Sequence, residues 1–288
     1  MADRLQSYLR QGVGSPDRLL WLGLHRGQLI AVIYILLIVS AMWPSIAQGL
    51  ILDGFLNSIV STFKISVIVW FAFYVGVKLS LQVIEPVRPL DKVAAIFAAT
   101  MCSVPLGETT WIVVTGMSLY TIFSVHSTTP QFRSGWIFLS ISVPMFWSKR
   151  VFNLFSESFL SVDASLVSMI TYTERRSNLV AMPGGSGYLQ IAAPCSSIAN
   201  VSLAMLCWVV FVQSKGLKWK PSNLIWCGFA CLCVVLINVS RIALIGFYPE
   251  RYDLLHGPVG STIVSWLITL VVLAICYWGT KGRNVLQV

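Results

Sequence analysis

The sequence predicts an all-α fold, a polytopic membrane helix bundle of about eight transmembrane helices. Three observations predict it. Hydrophobic residues make up 56% of the 288-residue chain and charged residues only 11%, whereas an ordinary soluble domain carries about 25% charged residues. The mean hydropathy is +0.77. The apolar residues are gathered into runs close to the ~20 residues that a helix needs to cross a bilayer at 1.5 Å per residue. So little charge cannot cover a water-facing surface of this size, so the chain must face lipid.

The runs lie near 28–48, 65–84, 93–107, 109–126, 135–148, 194–213, 222–247 and 259–280. The third and fifth are short. Pro105 and Gly107 interrupt the chain between the third and fourth, which predicts a tight turn there. Residues 1–27 are polar and basic, and no short apolar core with a small-residue cleavage site follows them. The first run is therefore expected to stay as a span. The longest interruption is 149–190. It mixes Lys149, Arg150, Arg175 and Arg176 with Phe152, Leu154, Phe155, Phe159 and Leu160. That mixture predicts a partly helical segment, with one or two short helices lying on the outer interface. Within it, Met182, Pro183, Gly184, Gly185, Ser186 and Gly187 predict a loop. No internal repeat or low-complexity linker divides the chain, which predicts a single integral membrane domain over 1–288.

Orientation follows from lysine and arginine in the loops, which favour the cytoplasmic side. The N-terminal segment 1–27 holds Arg4, Arg10, Arg18 and Arg26. Alternate loops hold Arg88 and Lys92, then Arg133, then Lys215, Lys218 and Lys220, and the tail holds Lys281 and Arg283. Both termini are thus expected in the cytoplasm, with the protein in the inner or plasma membrane and 149–190 outside. The net charge of +9 is scattered over these loops, with no basic stripe interleaved with aromatics, so no nucleic-acid partner is expected.

Of the seven cysteines, Cys102, Cys207, Cys227, Cys231, Cys233 and Cys276 lie inside apolar runs and fit small packing residues. No Cys-x-x-Cys pair or metal spacing with histidine occurs. Neither a metal nor a cofactor is expected.

Cys195 differs, in Ala193-Pro194-Cys195-Ser196-Ser197. Pro194 suits the first position of a helix, which would put Cys195 in the first turn of the sixth span. There the partial positive charge of the helix end favours the thiolate. Arg241 lies inside the seventh span, in Asn238-Val239-Ser240-Arg241-Ile242, with Asn238 one turn before it. An arginine in an apolar helix is costly unless paired or wetted. His256 precedes the eighth span, in His256-Gly257-Pro258-Val259-Gly260, and histidine exchanges protons near neutral pH. The topology drawn from other loops puts all three at the outer face, and 191–265 is the catalytic-motif region. A thiol, an imidazole and a guanidinium together suit acyl transfer: nucleophile, proton carrier and oxyanion partner.

At these residues the chain resembles the exosortase/archaeosortase family. Ala192, Ala193, Pro194, Cys195 and Ser196 are similar to its Ala-x-x-Cys-Ser-Gly-like motif, with Ser197 where glycine is usual. Asn238 to Ile242 resembles its Asn-x-x-Arg-Ile-like motif, and His256 with Gly260 its histidine four residues before a glycine. The intervals between cysteine, arginine and histidine, about 46 and 15 residues, also fit. The likeness is specific over roughly 185–265 and general elsewhere. It implies a membrane cysteine protease or transpeptidase with Cys195 as nucleophile and Arg241 and His256 as partners. Asn238, Ser196 and Gly260 would support them. The implied partners are membrane lipid and exported proteins with a C-terminal tripartite sorting signal: a motif such as Pro-Glu-Pro, an apolar helix and a basic end. Two rival classes are a transporter or channel lined by Arg241, Glu108 and Lys78, and a non-catalytic scaffold in exopolysaccharide export. A transporter is disfavoured by the lack of a repeated half or a chain of acids.

Overall fold

The computed structural model describes residues 23–103, 107–185 and 187–281. Arg4, Arg10, Arg18, Pro105, Ser186 and Arg283, used in the sequence argument, lie outside them. The described chain is helical almost throughout, with helices at all eight predicted places. Among the described residues, five stretches are long and apolar enough to cross a membrane: Arg26–Asp53, Pro130–Thr171, Ala193–Ser214, Pro221–Phe247 and Val259–Thr280. The chain divides into two compact units, Met1–Leu139 and Ser140–Gln287.

The first unit is organised around α1 (Arg26–Asp53). A short α2 (Phe55–Val60) follows it, then α3 (Val67–Leu81), α4 (Pro89–Ser103), α5 (Thr110–Phe123) and the start of α6 (Pro130–Ser142). Helices α3, α4 and α5 all pack on α1. Close approach is made possible by missing side chains. A Cβ on Gly27 would lie on the carbonyls of Ser80 and Val83, and one on Gly76 would sit 2.8 Å from Phe138 Cε1 and Cζ. Small residues at such crossings let helix backbones meet where lipid supplies no hydrophobic drive. The Phe138 ring stacks on the fully buried Tyr34, centroids 3.7 Å apart, and the Tyr34 hydroxyl lies 2.9 Å from Thr121 Oγ1.

One end of this unit is tied by ions. Arg26, fully buried, donates from Nε to Asp91 Oδ2 (2.9 Å) and from a terminal nitrogen to Glu85 Oε2 (3.2 Å). Another of its nitrogens donates to Ser124 Oγ at 2.9 Å. Asp91 also accepts the Arg88 backbone N–H (2.8 Å) and the Tyr120 hydroxyl (2.7 Å). Pro89 opens α4 with Asp91 in its first turn, where a carboxylate is favoured.

The second unit contains α7 (Ser148–Thr171), α8 (Ile198–Ser214), α9 (Pro221–Phe247), the single-turn α10 (Tyr252–His256) and α11 (Pro258–Thr280). Helix α9 packs on α7, α8 and α11, and α8 on α11. The C-terminal ends of α8 and α11 meet, with Lys215 Nζ donating to Thr280 Oγ1 at 2.8 Å. Exposed Ile263, Trp266 and Leu270 on α11 and Leu232 and Leu236 on α9 leave apolar faces suited to lipid.

Between Pro130 and Trp147 the helix loosens into a π stretch, Val143–Trp147, and then continues into α7. Pro144 supplies no N–H, so the ladder widens there. Helix α7 is itself broken by the non-helical angles of Phe155 (φ −125°, ψ 26°) into two shorter helical parts. The rest of the predicted interfacial segment is a three-stranded antiparallel sheet in the order β1-β2-β3. Its strands are β1 (Arg175–Arg176), β2 (Leu179–Ala181) and β3 (Tyr188–Gln190). Val180 pairs with Leu189, and the Met182 N–H closes the intervening loop on the Gly187 carbonyl at 2.9 Å. Gly185 (φ 70°) and Gly187 (φ 134°) hold backbone angles that side chains disfavour.

Candidate active site

The sheet is what leads the chain to Cys195. Val180 and Ile191, both buried, insert beside Ala164 and Val167 of α7 and Val239, Ile242 and Ala243 of α9. Three residues after Ile191 comes Pro194, inside a 3₁₀ turn, Ala193–Cys195, that packs Cys195 against the same cluster. Cys195 is half-buried and carries a free thiol.

The cysteine is not in the first turn of the following helix, as Pro194 suggested. Ser196 is extended (ψ 141°), and α8 begins only after Ser197 as N-cap. Proline starts a turn, and Ser196 breaks it before the α-helical ladder can form. The charge at the α8 N-terminus meets a carboxylate instead. Asp163 of α7, 4% exposed, accepts the Ser197 backbone N–H at Oδ2 (3.1 Å) and the Ser197 hydroxyl at Oδ1 (2.9 Å). A carboxylate at a helix N-terminus is favourable.

Asn238 of α9 faces this turn. Its Nδ2 donates to the Cys195 carbonyl at 2.7 Å and to Ser197 Oγ at 3.0 Å. Asn238, expected to support the three site residues, is thus bonded to the cysteine turn. Arg241 stands one helical turn further along α9, half-buried, and among the described residues its solvent-shielded Nε has no hydrogen-bond partner.

His256 ends α10, half-buried, and stacks on Tyr252 with centroids 4.9 Å apart. Gly260 explains its spacing. A Cβ there would fall on the Leu254 carbonyl and 2.6 Å from that of Leu255, so only glycine lets α11 begin directly under α10. Among the described residues, no hydrogen bond links the Cys195 thiol, Arg241 and His256 to one another. The bonds recorded join the cysteine turn to Asn238, Ser197 and Asp163.

No known family model, curated protein or solved structure matches this chain. The site is therefore read from its own chemistry. Asp163, Ser196 and Ser197, with Ser148 and Ser202, are the polar residues lining a cavity of about 360 Å³ whose remaining lining is apolar, Trp147, Phe159 and Met205 among it. Ser196 is buried, and its hydroxyl accepts the Ile198 N–H at 3.5 Å. Among the described residues, no group of three or more histidine, cysteine or acidic side chains is arranged to hold a metal ion.

Asp163 is the residue that sequence reasoning missed. It sits 32 positions before Cys195 in a stretch of mixed character, where an isolated aspartate gives no signal. The one available cue was its place on the apolar face of an amphipathic helix, between Leu160 and Val167.

Proposed function

We propose that the protein is an exosortase-like membrane cysteine protease or transpeptidase. It cleaves the C-terminal sorting signal of exported proteins at the outer face of the cell membrane, with both termini in the cytoplasm. The reading is carried by one hydrogen bond, from Asn238 Nδ2 to the Cys195 carbonyl. It joins the cysteine motif to the helix turn that bears Arg241, two of the three motifs that carry the resemblance.

In this reading the Cys195 thiolate attacks the scissile carbonyl carbon. The oxygen gains the negative charge, and Arg241 donates to it. Among the described residues its Nε has no hydrogen-bond partner. The C–N bond breaks as His256 gives a proton to the leaving amine, and a thioester remains on Cys195. His256 then takes a proton from the acceptor, water or another nucleophile. That nucleophile bonds to the carbonyl carbon, and the thiolate leaves.

The test is a secreted reporter ending in a Pro-Glu-Pro motif, an apolar helix and a basic tail, expressed with wild-type protein or Cys195→Ala. The variant is expected to insert normally and to leave the reporter uncut. Cutting at the wild-type rate removes Cys195 as nucleophile.

A further inference from the structure

We propose that Asp163 is a positioning residue for Cys195, acting through Ser197. This rests on the reading of Cys195 as the nucleophile, which contains no role for Asp163.

Ser197 does not do what its position suggests. Serine is among the preferred N-cap residues because its oxygen accepts a backbone N–H of the first turn. Ser197 is the N-cap of α8, yet its side chain makes no such bond. Its hydroxyl is committed on both sides instead, donating to Asp163 Oδ1 at 2.9 Å and accepting from Asn238 Nδ2 at 3.0 Å. The same Asn238 nitrogen donates to the Cys195 carbonyl. A continuous chain therefore runs Asp163, Ser197, Asn238, Cys195, and it draws on α7, the α8 N-terminus and α9.

The chemistry requires an acid at the head of this chain. Ser197 presents two donors to α7 at once, a backbone N–H and a hydroxyl. A carboxylate accepts both, one on each oxygen, whereas an amide offers a single acceptor oxygen and a competing NH₂. Among the described residues Asp163 has no ion-pair partner, so these two bonds and the helix end supply its stabilisation. A buried carboxylate with so few partners is costly, and its bonds are spent on the residue two positions after the thiol. With Asp163 removed, the Ser197 hydroxyl turns to the free N–H groups of α8 as an ordinary cap. Asn238 then loses one of its two acceptors, and the Cys195 turn is held from one side only. The serine that departs from the glycine of the resembling motif is, on this account, the link through which the acid acts.

The test uses the full chain purified in detergent, with a peptide carrying the Pro-Glu-Pro motif, apolar helix and basic tail as substrate. Asp163→Asn and Asp163→Ala are expected to lower kcat at least 10-fold with KM within about twofold, since misplacing a reacting atom by about 1 Å costs up to 100-fold. Combining Asp163→Ala with Ser197→Ala is expected to cost no more than Asp163→Ala alone. A role confined to stability predicts the opposite pattern: fewer folded molecules, each with unchanged kcat. If Asp163→Ala does not fold, Asp163→Asn and Ser197→Ala carry the test. An unchanged kcat per folded molecule in both overturns the proposal.

A second measurement separates this proposal from the reaction itself. In a protein whose other cysteines are replaced, the rate of Cys195 alkylation by N-ethylmaleimide is expected to rise at least fivefold on Asp163→Asn. An unchanged rate overturns the positioning role even if Cys195 is the nucleophile. If Cys195→Ala still cuts the peptide, the protease reading fails, while the alkylation rate still decides whether Asp163 sets the turn.

Discussion

At the scale of single residues, glycine and serine carry more of the site than their size suggests. Gly260 is the clearer case. Its missing side chain is the space in which the Leu254 and Leu255 carbonyls sit, so it couples the start of α11 to the turn that ends at His256. Gly260→Ala forces those carbonyls away, at a cost of about 1–3 kcal/mol for overpacking. The displaced element is the one carrying the imidazole. Reporter cleavage is expected to fall at least tenfold with the protein still folded, measured per folded molecule after size-exclusion chromatography. Wild-type cleavage by this variant would mean that the His256 turn tolerates displacement. The sequence made Cys195, Arg241, His256 and Gly260 visible because each breaks a local pattern: a thiol at the edge of an apolar run, a charge within one, a histidine before one and a glycine at its start. Asp163 and the true partners of Asn238 stayed hidden, because a hydrogen bond between residues 34 or 43 positions apart leaves no periodicity to detect.

At the scale of elements, hydropathy placed the helices well and their joints poorly. Long apolar runs are a property of the chain itself. Strands of two or three residues, such as β1 to β3, are stabilised by pairing and by Val180 entering the α7–α9 core, neither of which a short run announces. The joints of the first unit depend on charge in a similar way. In the sequence Arg26, in the N-terminal segment, and Arg88, in a loop, mark the expected cytoplasmic side, and the structure shows them bonded to Glu85 and Asp91. Arg26 ties the start of α1 to the start of α4 and the end of α5 through Asp91 and Ser124. Arg26→Met leaves the Asp91 carboxylate, 0% exposed, with only the Arg88 N–H and the Tyr120 hydroxyl. Breaking one side of a buried ion pair typically costs about 3–5 kcal/mol, whereas replacing both sides with apolar groups costs far less. Chemical unfolding in detergent micelles is expected to show that loss for Arg26→Met and a smaller one for Arg26→Met combined with Asp91→Leu. A loss below about 1 kcal/mol for the single variant would mean that the network leaves the unit's stability untouched.

At the scale of the whole molecule, the number of crossings would decide on which side of a membrane the proposed chemistry occurs. Five stretches satisfy the length of a span, and α3, α4 and α5 have only 15, 15 and 14 residues. At 1.5 Å per residue these reach about 21–23 Å, short of the ~30 Å hydrocarbon core unless the bilayer thins or loops and ends complete the crossing. The stretch Pro130–Thr171 has the reverse problem, since its 42 residues would extend about 63 Å. Its π stretch and the Phe155 kink divide it, so its first part fits a span and α7 continues beyond. Parity turns these lengths into a measurable difference. Eight crossings return the C-terminus to the side of the N-terminus, and with a cytoplasmic N-terminus the sixth begins at the outer face, with Cys195. Five crossings send the termini to opposite sides and start Ala193–Ser214 from the cytoplasm. The lysines favour the even number, because Lys215, Lys218, Lys220 and Lys281 cluster at the ends of helices away from Cys195 and the His256 turn. Reporter fusions active only in the cytoplasm, placed at each terminus in turn, are expected to be active at both. In intact cells, Cys195 as the sole cysteine is expected to react with a membrane-impermeant maleimide. A C-terminal fusion that is silent, together with Cys195 labelled only after permeabilisation, would move the thiol to the cytoplasm, where it could not meet an exported substrate.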